Sequence, residues 1–175
     1  MEFRSITPQD YKAVRDLIQA AFLAEPHSDQ TEAALVEKLR QQSSYLVEFE
    51  VVAEEDGEIK GYGLLSELSL KTPFEEKKVL GLAPLAVQPL QQNKGIGRDL
   101  VAFLEKRAMG AGYPAIFILG DPAYYRQLGY RPASEFEITP ALEVPAENYL
   151  VKELGRAKLA DCAGKVYYPA VFSED

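Results

Sequence analysis

The stretch Leu82–Arg98, LAPLAVQPLQQNKGIGR, carries most of the information about fold and function. It begins as a mostly apolar strand, continues as a polar loop with glycines and leads directly into a helical pattern. Gly95 and Gly97 have no side chains, so a ligand can approach the backbone closely. The first turn of a helix has unpaired N–H groups and a partial positive charge, to which Lys94 and Arg98 add two cations. The segment predicts an anion site for a phosphate or pyrophosphate, although a plain strand-to-helix turn would also use such glycines.

Two common phosphate-binding patterns are excluded at this loop. The pattern G-x-x-x-x-G-K-[ST] is absent from the chain, and a G-x-G-x-x-G fingerprint would need glycine at the position of Leu100. The pattern that stands is Q-x-x-G-x-G over Gln92–Gly97. A nucleotide-binding α/β protein is therefore a weak alternative.

Composition and charge narrow the class of protein. A chain of 175 residues is expected to form one domain. The 19 basic and 27 acidic residues give a net charge of −8, which argues against a nucleic-acid partner. The single cysteine excludes an internal disulfide. With only one histidine besides it, the chain has few of the usual metal ligands, so no metal is predicted. No signal peptide or membrane span is expected, and we predict a cytoplasmic protein.

The order of predicted elements indicates an α/β (α+β) fold with a mixed central sheet. Apolar residues at steps of three and four predict an amphipathic helix from Tyr11 to Phe22, and a second helix is expected from Thr31 to about Gln42. Thr72–Lys78 is expected to be a loop, and helices are predicted from Ile96 and over Pro122–Leu128. The predicted strands are Phe3–Ile6, Tyr45–Ala53, Ile59–Leu70, Val79–Val87, Ala115–Leu119, Phe136–Ile138, Tyr149–Leu154 and Val166–Phe172.

Two segments together carry a family resemblance. Q-x-x-G-x-G after L-A-V-x-P resembles the acetyl-coenzyme A loop of the GCN5-related N-acetyltransferase (GNAT) family. The segment Gly120–Tyr130, GDPAYYRQLGY, is similar to a later segment of that family and resembles most a bacterial subgroup with L-G-D-P-x-Y-Y. The resemblance implies a mostly antiparallel sheet that is splayed at the cofactor site and flanked by helices. It also implies a single domain over residues 1–175 with a strand-forming C-terminal tail from about residue 135.

The resemblance implies an acetyl-CoA-dependent N-acetyltransferase. The acetyl group would pass from acetyl-CoA to an amine of a small molecule or peptide by direct attack within a ternary complex. Tyr125 matches the tyrosine that protonates the departing thiolate, and its ordinary pKa of about 10 keeps it protonated at neutral pH. The N–H near Val87 is a candidate to polarise the thioester carbonyl. The positions that match backbone pairing with the pantetheine arm are Leu85, Ala86 and Val87. Those that match the pyrophosphate loop are Gln92, Asn93, Lys94, Gly95, Ile96, Gly97 and Arg98.

The general base is left unassigned. Leu80–Val87 contains no carboxylate, although family members often carry a glutamate there. Glu67, Glu48 and Glu50 are alternatives, and a solvent-facing strand residue is the simpler interpretation of each. His27 is expected to be an ordinary surface residue.

The position of the family's asparagine and the single cysteine each allow a functional and a passive interpretation. Ile118 stands where many members of the family carry an asparagine, and the shorter connection Gly120-Asp121-Pro122 is expected to replace that residue, as in the subgroup. Cys162 lies in a polar segment with no histidine near it in sequence, so a passive cysteine is expected rather than an acyl-accepting nucleophile.

A second function class stays open: a non-catalytic acyl-CoA-binding sensor or partner module on the same fold. The absent strand carboxylate favours it, whereas Tyr125 in its matching place favours the enzyme. The segment Val166–Phe172 is expected either to close the sheet or to pair across a homodimer, with Pro169 at an edge.

Overall fold

The first helix begins where the sequence predicts. Pro8–Asp10 forms a 3-10 turn, and the Asp10 carboxylate accepts hydrogen bonds from the Thr7 backbone N–H at 2.8 Å and the Thr7 hydroxyl at 3.0 Å. Helix α1 follows over Tyr11–Phe22, with its apolar stripe buried. The Asp10 carboxylate therefore holds Thr7 at the start of this turn.

The computed structural model describes residues 1–173. After α1, the helices are α2 (Glu32–Leu39), α3 (Ile96–Gly110) and α4 (Pro122–Arg126). The strands are β1 (Glu2–Ser5), β2 (Glu50–Glu55), β3 (Glu58–Lys71), β4 (Glu76–Val87), β5 (Ala115–Leu119), β6 (Arg131–Pro132), β7 (Ile138–Pro140), β8 (Tyr149–Glu153) and β9 (Gly164–Tyr167). Across these residues, no helix has both the length and the apolar character that a membrane span requires.

The strands form one mixed sheet in the order β1-β2-β3-β4-β5-β8-β6, with β9 pairing β3 and β7. The pairs β4–β5 and β7–β9 are parallel. The pairs β1–β2, β2–β3, β3–β9, β5–β8 and β6–β8 are antiparallel. The predicted mixed, mostly antiparallel sheet with flanking helices is confirmed.

The chain forms two compact units. The first contains Met1–Ser66 and Pro84–Arg107, and the second contains Glu67–Ala83 and the described residues from Ala108 onward. The core of the first includes Val14, Ile18, Val51, Leu64 and Leu100. The core of the second includes Leu70, Phe117, Tyr149, Val151 and Val166. A single domain over 1–175 stays a prediction, and its last two residues lie outside the described part.

Two predicted boundaries around the hairpins are wrong. Tyr45–Ala53 was expected to be a strand, but β2 begins at Glu50 and a 3-10 turn occupies Val47–Phe49. Thr72–Lys78 was expected to be a loop, but β4 already begins at Glu76. The first residues of β4 are polar and partly solvated, so a strand predicted from its apolar residues begins later than the observed one.

The predicted strands of the tail also shift. Phe136–Ile138 was expected to be a strand, but a 3-10 turn runs over Ala133–Phe136 and Glu137 adopts a left-handed conformation (φ 57°), so β7 begins only at Ile138. β9 ends at Tyr167, short of the predicted Phe172. Pro169 has no N–H to continue a strand, and a 3-10 turn follows it.

Candidate functional site

The pairing of β4 with β5 covers only part of β4. Leu80–Leu82 pairs in parallel with Ile116–Ile118, and β4 then runs on to Val87. The backbone of β4 after Leu82 therefore lies beyond its paired segment with β5. Leu85, Ala86 and Val87, the residues expected to pair with a pantetheine arm, all lie in this last part of the strand.

The loop after β4 is anchored at its start and left-handed further on. Gln88 donates from its backbone N–H to the Lys60 carbonyl at 2.9 Å and from Nε2 to the Ile59 carbonyl at 2.7 Å. Asn93 and Gly95 have φ values of 64° and 88°, the region that glycine adopts most readily. These two reversals bring the chain directly into α3, whose first N–H groups have no partner within the helix.

The polar side chains of the loop point mostly into solvent. Gln92 is exposed, and its Nε2 donates to the Val87 carbonyl at 3.3 Å, which closes the loop onto the end of β4. Lys94 is exposed and contacts only Gln91 Oε1, at 3.4 Å, among the described side chains. Both contacts are long, so a bound anion could replace them at small cost.

The first turn of α3 combines an exposed cation with a buried anchor. The Arg98 guanidinium folds over Gly95, where an added methyl group would lie 2.8 Å from Nη2. Its Nε also lies 3.1 Å from Asp99 Oδ1. Ile96 is buried at 7% exposure, so its side chain fixes the helix and only its backbone is available to a ligand.

The second unit carries Tyr125 on the short helix α4. Asp121 precedes this helix, and its carboxylate accepts a hydrogen bond from the Ala123 N–H at 3.0 Å. Asp121 therefore has a structural task as a helix cap, which is the simpler explanation of its place in the segment.

The Tyr125 ring is packed closely. An added methyl group at Gly120 would lie 2.5 Å from Tyr125 Cε2, so only glycine leaves room for the ring. The rings of Tyr124 and Tyr130 meet it edge-on at 4.9 and 5.8 Å. Burial, and to a smaller extent the charges of Tyr124 and Asp121, raise the pKa of Tyr125 above its ordinary value. Its hydroxyl is therefore a neutral proton donor at physiological pH.

The three candidate bases differ sharply. Glu48 is exposed. Glu67 accepts a hydrogen bond from the Tyr113 hydroxyl at 2.8 Å and has Lys78 Nζ at 3.8 Å. The expectation that Glu50 faces solvent is wrong, because its side chain is fully buried against Arg40 and two tyrosines.

The remaining candidates take no part in an evident site. Cys162 is buried in the core of the second unit, with Sγ 3.9 Å from the Lys158 carbonyl oxygen. His27 lies exposed in the connection between α1 and α2. Both positions agree with the passive roles expected of them.

A strand that leads through a left-handed glycine loop into a helix start with exposed cations is typical of proteins that bind an anionic cofactor. Residues 11–130 match the model of the acetyltransferase (GNAT) family, and the chain belongs to this family. The predicted family, and with it the expectation of an acetyl-CoA-dependent N-acetyltransferase, is confirmed.

Relatives of full length support this assignment. The chain is 28% identical over 173 residues to the uncharacterized N-acetyltransferase YhbS of Escherichia coli, covering 99% of each chain. The structure of E. coli YhbS in complex with CoA matches with a TM-score of 0.88 and 27% identity, covering 99% of this chain and 92% of that one. A GNAT family acetyltransferase of Brucella melitensis in complex with acetyl-CoA matches with a TM-score of 0.79 and 29% identity, covering 98% and 97%.

Proposed function

We propose that this enzyme transfers an acetyl group from acetyl-CoA directly to an amine of a small molecule or peptide. The amine nitrogen attacks the thioester carbonyl within a ternary complex, the C–S bond breaks, and the thiolate takes a proton. The backbone of Leu85–Val87 would pair with the pantetheine arm, and the N–H near Val87 would polarise the thioester carbonyl.

The observation that carries the proposal is the geometry of the loop Gln92–Arg98. Its left-handed positions at Asn93 and Gly95 lead into the unpaired N–H groups of α3, with two exposed cations beside them. A pyrophosphate bound there would gain hydrogen bonds from the helix start and favourable charge from Lys94 and Arg98. The solved relatives from E. coli and B. melitensis hold CoA and acetyl-CoA, which supports the same class of ligand for this chain.

Tyr125 supplies the proton for the departing thiolate in this proposal. The departing thiolate takes up a proton to become a thiol, and a half-buried phenol that stays protonated can provide it. The raised pKa of Tyr125 keeps this proton available over the whole physiological range.

The proposal includes the location of the enzyme and its partners. We place the enzyme in the cytoplasm, acting on a soluble amine without nucleic-acid or membrane partners. A homodimer formed through the C-terminal segment stays a prediction, which sedimentation analysis would check.

Calorimetric titration with acetyl-CoA is the first test, with CoA, ATP and NAD as controls. Selective binding of the two CoA species is expected, and folded protein that binds none of them would overturn the proposal. If acetyl-CoA binds but no amine in a broad panel releases thiol, the non-catalytic acyl-CoA module becomes the better explanation.

The role of Tyr125 is tested by Tyr125→Phe. General acid catalysis contributes on the order of 10²-fold or more, so turnover should fall by about that factor. Affinity for CoA should stay close to that of the wild type. Tyr124→Phe is the matched control, because it removes a neighbouring hydroxyl and keeps both rings. Unchanged turnover in Tyr125→Phe would remove Tyr125 as the acid.

A further inference from the structure

A carboxylate whose two oxygens both accept several hydrogen bonds lies inside the first unit. Glu50, the first residue of β2, is 0% exposed. Its Oε1 accepts hydrogen bonds from Arg40 Nε at 2.9 Å, Arg40 Nη2 at 2.6 Å and the Tyr62 hydroxyl at 2.8 Å. Its Oε2 accepts from the Tyr45 hydroxyl and from Arg40 Nε at 3.2 Å. A carboxylate with its acceptor sites filled in this way is poorly placed to take a proton from a substrate, so Glu50 is not the general base.

Arg40 is held rigidly by two partners and retains one free edge. Glu50 occupies the edge formed by Nε and Nη2, and the guanidinium lies 3.8 Å from the centre of the Tyr11 ring. Within residues 1–173, no hydrogen bond from Nη1 accompanies these contacts, and the Arg40 side chain is 12% exposed. A planar guanidinium can receive a second carboxylate on its Nη1–Nη2 edge in bidentate geometry.

Arg40 keeps its charge in this place. Burial by itself lowers the pKa of Arg40, but the hydrogen bonds and charge of Glu50 outweigh burial and raise it. The hydroxyls of Tyr45 and Tyr62 in turn donate to Glu50 and draw part of its charge away from Arg40. The free edge therefore stays a cationic donor in a largely dehydrated site, where such hydrogen bonds are stronger than in water.

The cluster reaches β3, the strand beside β4 in the sheet, through the Tyr62 hydroxyl that donates to Glu50. Tyr62 follows Gly61 on β3, and an added methyl group at Gly61 would lie 3.5 Å from the Ala86 carbonyl oxygen. The preceding residue, Lys60, accepts the hydrogen bond from Gln88. These residues and the cluster all belong to the first unit. Tyr62 thus links the cluster to β3, the strand whose residues Lys60 and Gly61 lie against the end of β4, where the thioester is expected.

We propose that Arg40 binds a carboxylate of the acceptor, so that the enzyme acts on amines that also carry a carboxylate, such as amino acids. Glu50 and Tyr11 are positioning residues that fix the plane of the guanidinium before substrate arrives. A buried ion pair is weak evidence for stability by itself, because desolvation offsets much of the attraction, whereas a prealigned fork favours ligand binding. This inference rests on the proposed acetyl transfer and adds the class of acceptor to it.

The first test needs only the wild-type enzyme. Glutamate, lysine and phenylalanine are each compared with their own C-terminal amide as acceptors, with thiol release from acetyl-CoA as the measurement. At least one acid should show a kcat/KM about tenfold above that of its amide, as expected for one charged hydrogen-bonded pair. The amine of an amide is the more readily deprotonated, so the comparison is biased against this result.

The outcomes separate the two proposals. Amides that match or exceed their acids in every pair overturn the carboxylate assignment, and so does acetyl-CoA binding without turnover of any acid. Failure of acetyl-CoA to bind instead overturns the proposed function.

Arg40→Lys then tests the residue. Lysine keeps the charge and removes the planar fork, so KM for the preferred acid should rise about tenfold and the preference for acid over amide should fall towards one. The KM values for acetyl-CoA and for the amide should stay unchanged. A purely structural role would change acid and amide alike, and that result would overturn the assignment.

Two further variants guard this test. Arg15→Lys is the matched control, because Arg15 is a half-exposed arginine of the same unit that pairs with Glu37 on α2. It should leave the acid-to-amide ratio unchanged. Tyr45→Phe removes one hydroxyl from Glu50 and keeps the fork of Arg40, so the preference should persist. If Arg40→Lys fails to fold, the acid-to-amide comparison in the wild type and in Tyr45→Phe still tests the assignment. Loss of the preference for acid over amide in Tyr45→Phe would contradict a guanidinium that is held chiefly by Glu50 and Tyr11.

Discussion

The loop Gln92–Arg98 and the cluster around Glu50 are built in opposite ways within the same unit. The loop leaves its cations exposed, and its side-chain contacts from Gln92 and Lys94 are 3.3 and 3.4 Å long. The cluster encloses a fully buried carboxylate with contacts from Arg40 as short as 2.6 Å. The loop keeps its donors available for a ligand, whereas the cluster uses nearly all of its donors on itself. The loop should therefore govern affinity for the cofactor, and the cluster should govern stability and, through Arg40, the proposed binding of the acceptor.

Removing the centre of the cluster should have the largest effect. Glu50→Ala leaves Arg40 charged and unpaired in a dehydrated place, and breaking a buried pair costs about 3–5 kcal/mol. Urea unfolding of the variant should show a loss of this size in the free energy of unfolding. Glu48→Ala, which removes an exposed glutamate two residues earlier, should change it by less than about 0.5 kcal/mol. Equal losses in the free energy of unfolding would refute the distinction between the buried, hydrogen-bonded carboxylate of Glu50 and the exposed one of Glu48.

Tyr62→Phe should have a smaller effect and a distinct pH dependence. Its hydroxyl bonds a buried carboxylate, so the loss at pH 7 should be about 2 kcal/mol. Burial first, and then Glu50, hold the pKa of Tyr62 well above its usual 10. Above pH 10 the unfolded chain therefore loses this proton and the folded chain keeps it, so wild-type stability falls as pH rises.

The slope of stability against pH is the measurement that isolates Tyr62. The wild type should lose about 1.4 kcal/mol per pH unit more steeply than the variant above pH 10, the value for one proton. Below pH 9 the two curves should run parallel. Curves that stay parallel up to pH 11 would show that Tyr62 ionises in the folded protein.

The difference between the two regions also explains why the loop could be predicted from the amino-acid sequence and the cluster could not. The loop is local: Gly95, Gly97 and their cations stand within a few residues of one another between an apolar strand and a helix. The cluster combines Arg40 after α2, Tyr45, Glu50 at the start of β2 and Tyr62 on β3, which only the tertiary fold brings together. No periodic pattern in the sequence predicts that these four residues lie together.

The same limit accounts for the wrong expectation about Glu50 in β2. A glutamate in a strand was expected to face solvent, but Glu50, Val51, Val52 and Ala53 are all buried, so β2 has no solvated face over these residues. The burial of a charge depends on partners elsewhere in the chain, here Arg40. Strand content could be predicted, whereas the partner that permits the burial could not.

Gly95→Ala tests whether the loop depends on its backbone. A left-handed non-glycine residue costs about 1–2 kcal/mol, and the new methyl group would meet the Arg98 guanidinium. We expect acetyl-CoA affinity to fall about tenfold in calorimetry, because Arg98 and the helix start must both move. Gly57→Ala is the matched control: it has φ 77° with no heavy atom within 4 Å of the added methyl group, and it should reduce stability without changing affinity. A similar loss of affinity in both variants would assign the effect to general destabilisation.

Lys94→Gln should give the smallest effect, and salt should abolish it. Lys94 is exposed, so its attraction for a pyrophosphate acts through water and contributes at most about 1 kcal/mol, or a few-fold in Kd. At low ionic strength the variant should bind acetyl-CoA about three- to fivefold more weakly, and the difference should vanish near 1 M salt, where the screening length is about 3 Å. Lys106→Gln removes an exposed lysine from α3, far from its first turn, and should leave Kd unchanged at both salt concentrations. A loss in Lys94→Gln that persists at high salt would mean that Lys94 makes a dehydrated contact with the ligand, and the loop would then resemble the cluster more closely than its exposure indicates.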